Sequence, residues 1–145
     1  MSVRYRPTLM AFAEEIEQRG LGEWLIAHTS FLKPLHRWEG TLELADRSLR
    51  FEGCARRGGE PIKLSIETAD ISDVHYGFDD CFRRGEDRQM GLLGFMPLRI
   101  RYRKSGHRER TLYLFAGFSR TLLGRRCRNE ELAAVLEEAR ANRAA

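Results

Sequence analysis

Polar and apolar residues follow two different rhythms along this chain. Near the N-terminus Leu9, Phe12, Ala13 and Ile16 recur at i, i+3, i+4 and i+7, a spacing that predicts an amphipathic helix over Thr8 to Arg19. Thr8 serves as its N-cap and Gly20 as its terminator. Trp24 to Ser30 is a short apolar stretch compatible with strand or helix, and Pro34 turns Phe31 to His36 into a bend or irregular edge. From Trp38 the period becomes two. Gly40 to Gly53 predicts a hairpin that turns at Ala45 to Ser48, with Leu44 opposite Leu49 and Glu43 opposite Arg50 on the outer side. Pro61 to Ile66 and Ile71 to Phe78 follow as two more strands, the latter with Val74, Tyr76 and Phe78 on one face. Leu98 to Arg103 and Thr111 to Ala116 make a second hairpin around Ser105-Gly106. A last helix opens at Asn129, an N-cap followed by Glu130 and Glu131, and buries Leu132, Val135, Leu136 and Ala139.

Short strands at regular spacing, with turn residues between them, predict an all-β sandwich or barrel. One helix after seven strands has only sheet to pack against. The expectation is a mainly β fold: a seven-stranded antiparallel barrel over residues 22–128, closed and plugged by the helix at 129–143, with an extra N-terminal helix at 8–19. At 145 residues the chain is one domain.

Composition adds little to the fold and something to the function. The chain is 42% hydrophobic, 10% aromatic and 32% charged, which is a folded chain and not a disordered one. No apolar run reaches the roughly 18 residues of a membrane span, and no secretory signal is visible before Met10. A cytoplasmic protein, at most peripheral to a membrane, is the expectation. Cys54, Cys81 and Cys127 lie far apart, which argues for free thiols and against a disulfide framework or a structural zinc site. The net charge is +4, but Pro97 to Arg128 carries ten Lys or Arg against a single acid, Glu109. Such asymmetry draws anionic partners.

The order of elements resembles the pleckstrin-homology-like superfold, in particular its GRAM-like and bacterial PH-like members. The likeness is carried by Glu23-Trp24-Leu25-Ile26, Gly40-Thr41-Leu42-Glu43-Leu44, Leu49-Arg50-Phe51, Ile62-Lys63-Leu64, Ile71-Ser72-Asp73-Val74 and Leu112-Tyr113-Leu114-Phe115. It runs from Gly22 to Asn142, and the helix at Thr8 to Arg19 stands outside it. The resemblance implies binding of phosphoinositides, phosphopeptides or other proteins, and no enzymatic activity. In lipid-binding members a Lys and Arg cluster in the first strand–loop–strand region holds the phosphates; here that region offers Lys33, His36 and Arg37.

The candidate chemistry is a basic face. In Leu98 to Arg103 the side chains of Arg99, Arg101 and Arg103 share one side of a strand and Leu98, Ile100 and Tyr102 the other. Arg101 opposite Tyr113 and Arg99 opposite Phe115 is the register that would allow cation–π stacking. Arg83, Arg84 and Arg88, in the long connection Asp79 to Met96, and Arg125, Arg126 and Arg128, after the second hairpin, supply further charge. Leu92, Leu93, Phe95 and Met96 end that connection as an apolar segment suited to a membrane surface or to the barrel end. Arginine suits an anion site because its planar fork gives two hydrogen bonds to one phosphate or carboxylate.

Competing functions have weaker support. Single-strand nucleic-acid binding has aromatics available in Tyr102, Tyr113 and Phe118, but no RNP-type motif or recognition helix accompanies them. Catalysis has only Cys81 six residues after His75, with Asp79 and Asp80 nearby, and no phosphate-cradling or hydrolase motif. The four histidines show no metal-ligand spacing, and no cofactor is implied. The reading is a non-enzymatic module that binds a protein or an anionic ligand, a lipid headgroup or a phosphate. The alternative is a self-associating scaffold that pairs through an open sheet edge as a homo-oligomer.

Overall fold

The structure, a computed structural model, describes residues 2–17, 36–77, 96–121 and 124–144. Strands β1 (Ser2–Phe12), β2 (Trp38–Ala45), β3 (Ser48–Ala55), β4 (Pro61–Glu67), β5 (Ile71–Tyr76), β6 (Leu98–Tyr102) and β7 (Arg110–Phe115) form one sheet in the order β4-β3-β2-β1-β7-β6-β5. Every neighbouring pair is antiparallel. A short helix, α1 (Ala13–Glu17), follows β1, and a 3₁₀ turn (Thr68–Asp70) joins β4 to β5. A two-stranded ribbon, β8 (Ser119–Thr121) and β9 (Gly124–Arg126), precedes the C-terminal helix α2 (Asn129–Ala144). The fold class is as expected: seven antiparallel strands and a C-terminal helix. The expected closure is not found, because β4 and β5 are the two ends of the hydrogen-bonded sheet and do not pair with each other.

The first element differs from the sequence reading. Thr8 to Phe12 belongs to a strand, and helix begins only at Ala13. Leu9, Met10, Ala11 and Phe12 are all buried, so this end of β1 has apolar contacts on both faces and shows no alternation. Met10 and Phe12 join the main core, while Leu9 and Ala11 join a second cluster with Ile16, Tyr113, Phe115 and Phe118. A strand buried on both faces cannot be told from a helix by periodicity alone. The segment Trp24 to Ser30, and Lys33, lie outside the described residues, as do Phe78 and the apolar residues Leu92, Leu93 and Phe95.

β1 also shows how the sheet bends. Ser2 to Tyr5 pair with β2 alone, whereas Leu9 to Phe12 pair with β7, and the register slips between Tyr5 and Thr8. Bulges of this kind add twist and re-aim a strand. The bulge is tied down locally: Thr8 Oγ1 donates to the Tyr5 carbonyl at 3.0 Å, and the Phe118 N–H donates to the Pro7 carbonyl at 2.8 Å. The bend continues across the next two strands at Gly40, paired with Thr8, and Gly53, paired with Gly40. A Cβ on Gly40 would lie 2.1 Å from the Glu52 carbonyl oxygen, and one on Gly53 would lie 2.3 Å from that of Glu39. Backbones this close admit only glycine.

The β2–β3 hairpin has the expected register, with Leu44 opposite Leu49 and Glu43 opposite Arg50. The Glu43 carboxylate lies 3.7 Å from Arg4 of β1, and Arg50 donates through Nε to Ser48. α2 lies against β5, β6 and the 3₁₀ turn and buries Leu132 and Leu136 in the main core, with Ala133 and Val135 packed beside them. Asn129 is the first helical residue and not the N-cap, since the Leu132 N–H bonds the Arg128 carbonyl at 3.0 Å, and its side chain turns to the sheet. Its Oδ1 accepts from the Ala116 N–H at 2.8 Å, and its Nδ2 donates to the carbonyls of Met96 at 2.7 Å and Leu114 at 2.9 Å. Fully buried, it joins the helix start to the ends of the β6–β7 hairpin. Among the described residues no helix is long and apolar enough to cross a membrane.

Candidate anion-binding surface

Alternation along β6 turns Leu98, Ile100 and Tyr102 into the core and leaves Arg99 and Arg101 on the other side, as the sequence predicts. The two arginines then part company. Arg99 is largely covered and donates from Nη2 to Asp73 Oδ2 at 2.8 Å. That hydrogen bond holds the Asp73 carboxyl below its ordinary range, against the opposing effect of burial, and the nearby charges of Arg99, Arg101 and His75 add to it. Arg99 is therefore committed to the β5–β6 pair. Arg101 lies opposite Asp73 in register and forms no ion pair among the described residues.

A group whose folded pKa is depressed contributes stability above its unfolded pKa and loses it as pH falls through the folded one. For Asp73 that window lies below the usual aspartate value of about 3.9. Asp73→Asn is expected to lower the melting temperature at pH 7, and this deficit shrinks as pH falls below about 4. Thermal melts across pH check this; a deficit that persists unchanged into acid contradicts the Arg99–Asp73 assignment.

The β6–β7 register differs by two residues from the one that would allow stacking. Arg99 lies opposite Tyr113 and Arg101 opposite Thr111. The reason is the turn: pairing extends to Tyr102 with Arg110, which centres the hairpin on Gly106, a residue with φ of 78°. Tyr113 and Phe115 are buried in the second cluster, so they are not exposed stacking platforms. The cation–π contacts form elsewhere: Arg110 sits 3.7 Å from the Phe12 ring centroid, Arg128 4.7 Å from Tyr5 and Arg37 5.2 Å from Trp38. Each of these three cations also has a carboxylate: Glu14 for Arg110, Glu131 for Arg128 and Glu15 for Arg37.

A cluster of cations with no ion pair among the described residues lies on the loop that β6 enters. Arg103, Lys104, His107 and Arg108 are at or near the surface of the connection between β6 and β7. The backbone there is organised. The Arg103 N–H donates to the Asp70 carbonyl at 2.9 Å, and the His107 N–H donates to the Lys104 carbonyl at 2.9 Å. The Arg103 Nε–H donates to the His107 carbonyl at 3.1 Å. The acid of the loop, Glu109, accepts from Ser72 Oγ at 3.2 Å. Arg101, Arg103, Lys104 and Arg108 thus stand within eight residues with no acid among them and no ion pair among the described residues.

The other candidate cations divide in two. Arg83, Arg84 and Arg88 lie outside the described residues, as do Cys81, Asp79 and Asp80. Arg125 and Arg126 belong to β9, where they pair in register with Arg120 and Ser119. Lys104 and Arg108 complete the hairpin group and were missed by strand alternation, because they follow the end of β6. Among the described residues, a gap between the apolar faces of Met10, Leu42, Phe51 and Leu112 has about 10 Å³, the space of about one water. No group of three or more His, Cys, Asp or Glu side chains suited to a metal ion occurs among the described residues. Cys54 and Cys127 are free thiols, and burial pushes that of Cys127 up.

Comparison with protein-family models, with curated proteins and with solved structures returns no match.

Proposed function

We propose that this chain is a non-enzymatic binding module of pleckstrin-homology-like, GRAM-like architecture that takes a phosphate-bearing anion, such as a lipid headgroup, on the β6–β7 hairpin. The observation that carries the reading is the set Arg101, Arg103, Lys104 and Arg108, four cations on one ordered hairpin with no ion-pair partner among the described residues, while Arg4, Arg37, Arg99, Arg110, Arg128 and Arg140 each have a carboxylate. The architecture supports it. Seven antiparallel strands with a C-terminal helix agree in class with the resemblance, while β1 precedes Gly22, where the resemblance begins. A hairpin rigidified by its own backbone hydrogen bonds presents its guanidinium and ammonium groups at reduced ordering cost.

Each Lys or Arg near an anionic membrane surface contributes roughly 1 kcal/mol. Replacing Arg101, Lys104 and Arg108 together by Ser should therefore weaken binding to phosphatidic-acid-doped vesicles by about 100-fold. The fold should remain intact by circular dichroism, since none of the three side chains forms a hydrogen bond or ion pair among the described residues. Co-sedimentation with these vesicles, against neutral phosphatidylcholine vesicles, checks this. A parallel titration with a soluble inositol phosphate separates a lipid surface from a free phosphate as the source of the anion. Retention of the triple variant equal to that of the parent protein at low salt contradicts the assignment.

A further inference from the structure

The two ends of the sheet are not equivalent. At β5 the C-terminal helix covers the edge, and Arg140 Nη2 donates to the Ser72 carbonyl at 3.1 Å. At β4 no strand pairs with the outer edge among the described residues. Two hydrogen bonds at the ends of β4 fix which of its backbone groups are free. The Ala55 N–H donates to the Glu60 carbonyl at 2.7 Å, and the Thr68 N–H donates to the Arg47 carbonyl at 2.8 Å. In an antiparallel ladder, alternate residues turn both N–H and C=O to the same neighbour. Ile62, Leu64 and Ile66 therefore bond to β3, and Pro61, Lys63, Ser65 and Glu67 face the open edge.

Pro61 has no N–H, so three residues present a complete donor and acceptor: Lys63, Ser65 and Glu67. Their side chains are exposed and read basic, neutral, acidic. That order complements itself in reverse. We infer that β4 pairs antiparallel with β4 of a second copy of this chain, with Ser65 on the two-fold axis and Lys63 opposite the partner's Glu67. This register unites all three complete residues in hydrogen-bonded pairs and sets two opposite-charge pairs across the seam. It also places Leu64 opposite the partner's Ile66 on the inner face, covering Leu64, which is half-buried in the single chain.

Neighbouring registers lose on one count or another. A shift of one step toward the start of the strand puts Leu64 on the axis, leaves Lys63 opposite a serine and sends Glu67 to a proline that has no N–H. A second step in that direction sets Lys63 against Lys63. A shift of two steps the other way sets Glu67 against Glu67. Pro61 and Lys63, which ordinarily protect an edge strand, here select one pairing. The interface is independent of the anion-binding reading, because it shares no residue with the β6–β7 hairpin.

A five-residue edge buries much less than a standard interface of about 1,600 Å², so the expected dimer is weak, with a dissociation constant on the order of 0.1 mM. Sedimentation velocity from low micromolar to millimolar protein tests it with three chains: the parent, Lys63→Glu, and Lys63→Glu/Glu67→Lys. The parent dimerises. Lys63→Glu faces two like-charge contacts and weakens the dimer by about ten-fold, and the double variant, which reverses both charges, restores it to about the parent value. Circular dichroism verifies that each variant folds. In amide hydrogen exchange of the parent, Lys63, Ser65 and Glu67 gain protection as protein concentration rises, and Leu64 does not depend on it. A parent that stays monomeric at millimolar concentration overturns the inference, and so does a dimer insensitive to Lys63→Glu or one that the double variant fails to restore.

Discussion

Gly53→Ala is expected to cost about 3–5 kcal/mol, among the largest effects that a single methyl group produces. The site has no space to give. The added Cβ meets the Glu39 carbonyl oxygen at 2.3 Å, the Glu39 carbonyl carbon at 2.8 Å and the Gly40 Cα at 2.8 Å, all of them backbone. Relief requires β2 and β3 to separate where the sheet bends, and that disturbs the pairing on both sides. Gly40→Ala should be equally severe, with contacts of 2.1 Å to the Glu52 carbonyl oxygen and 2.5 Å to the Gly53 Cα. The double variant should cost less than the sum, because strands parted by the first methyl already make room for the second. Gly58→Ala is the control. Gly58 has φ of 80° with nothing within 4 Å of its Cβ position, so only the left-handed backbone penalty of roughly 1–2 kcal/mol applies. Urea denaturation ranks the four variants. A typical domain has about 5–15 kcal/mol in all, so Gly53→Ala should take from about a fifth of it to most of it. Equal costs for Gly53→Ala and Gly58→Ala would remove the close approach as the reason for these glycines.

Asn129→Ala should follow closely, at about 3 kcal/mol or more. A helix cap alone is worth about 1 kcal/mol. Asn129 instead satisfies three backbone groups, the Ala116 N–H and the Leu114 and Met96 carbonyls, in a residue with no exposed surface. Each buried group left unsatisfied costs about 1–3 kcal/mol. Asn129→Asp should be worse, since it puts a carboxylate against two carbonyl oxygens that need a donor. Thermal melts give the ranking, and amide exchange locates it: in Asn129→Ala the Ala116 amide loses protection while the β2–β3 hairpin keeps its own. A loss of about 1 kcal/mol, the size of an ordinary cap, with Ala116 still protected, would contradict this role.

These residues also show how far the sequence could be read. Where one face of a strand meets the core and the other meets water, alternation decided both the element and its register, as in β2–β3 with Leu44 opposite Leu49. Where both faces are buried, the signal disappears. Leu9 to Phe12 carry no polar positions with which to distinguish strand from helix, and their i, i+3, i+4 coincidence with Ala13 and Ile16 pointed to the wrong one. The β6–β7 register stayed open for a different reason: seven loop residues leave the centre of a hairpin undetermined until Gly106 is known to occupy it. Asn129 was legible as a helix start, but its three partners come from two other segments. The basic face was legible as composition. That Arg99 is spent on Asp73 while Lys104 and Arg108 are not depends on which acids fold beside them, and alternation along one strand carries no such information.

The most direct test of the anion-binding reading is chemical-shift mapping of the folded protein with a soluble inositol phosphate in low-salt buffer. Amide shifts should concentrate between Arg101 and Glu109, saturate with increasing ligand and disappear when Arg101, Lys104 and Arg108 are serine. Shifts that spare this hairpin and map to another surface, or a spectrum that does not respond to the phosphate, would contradict it.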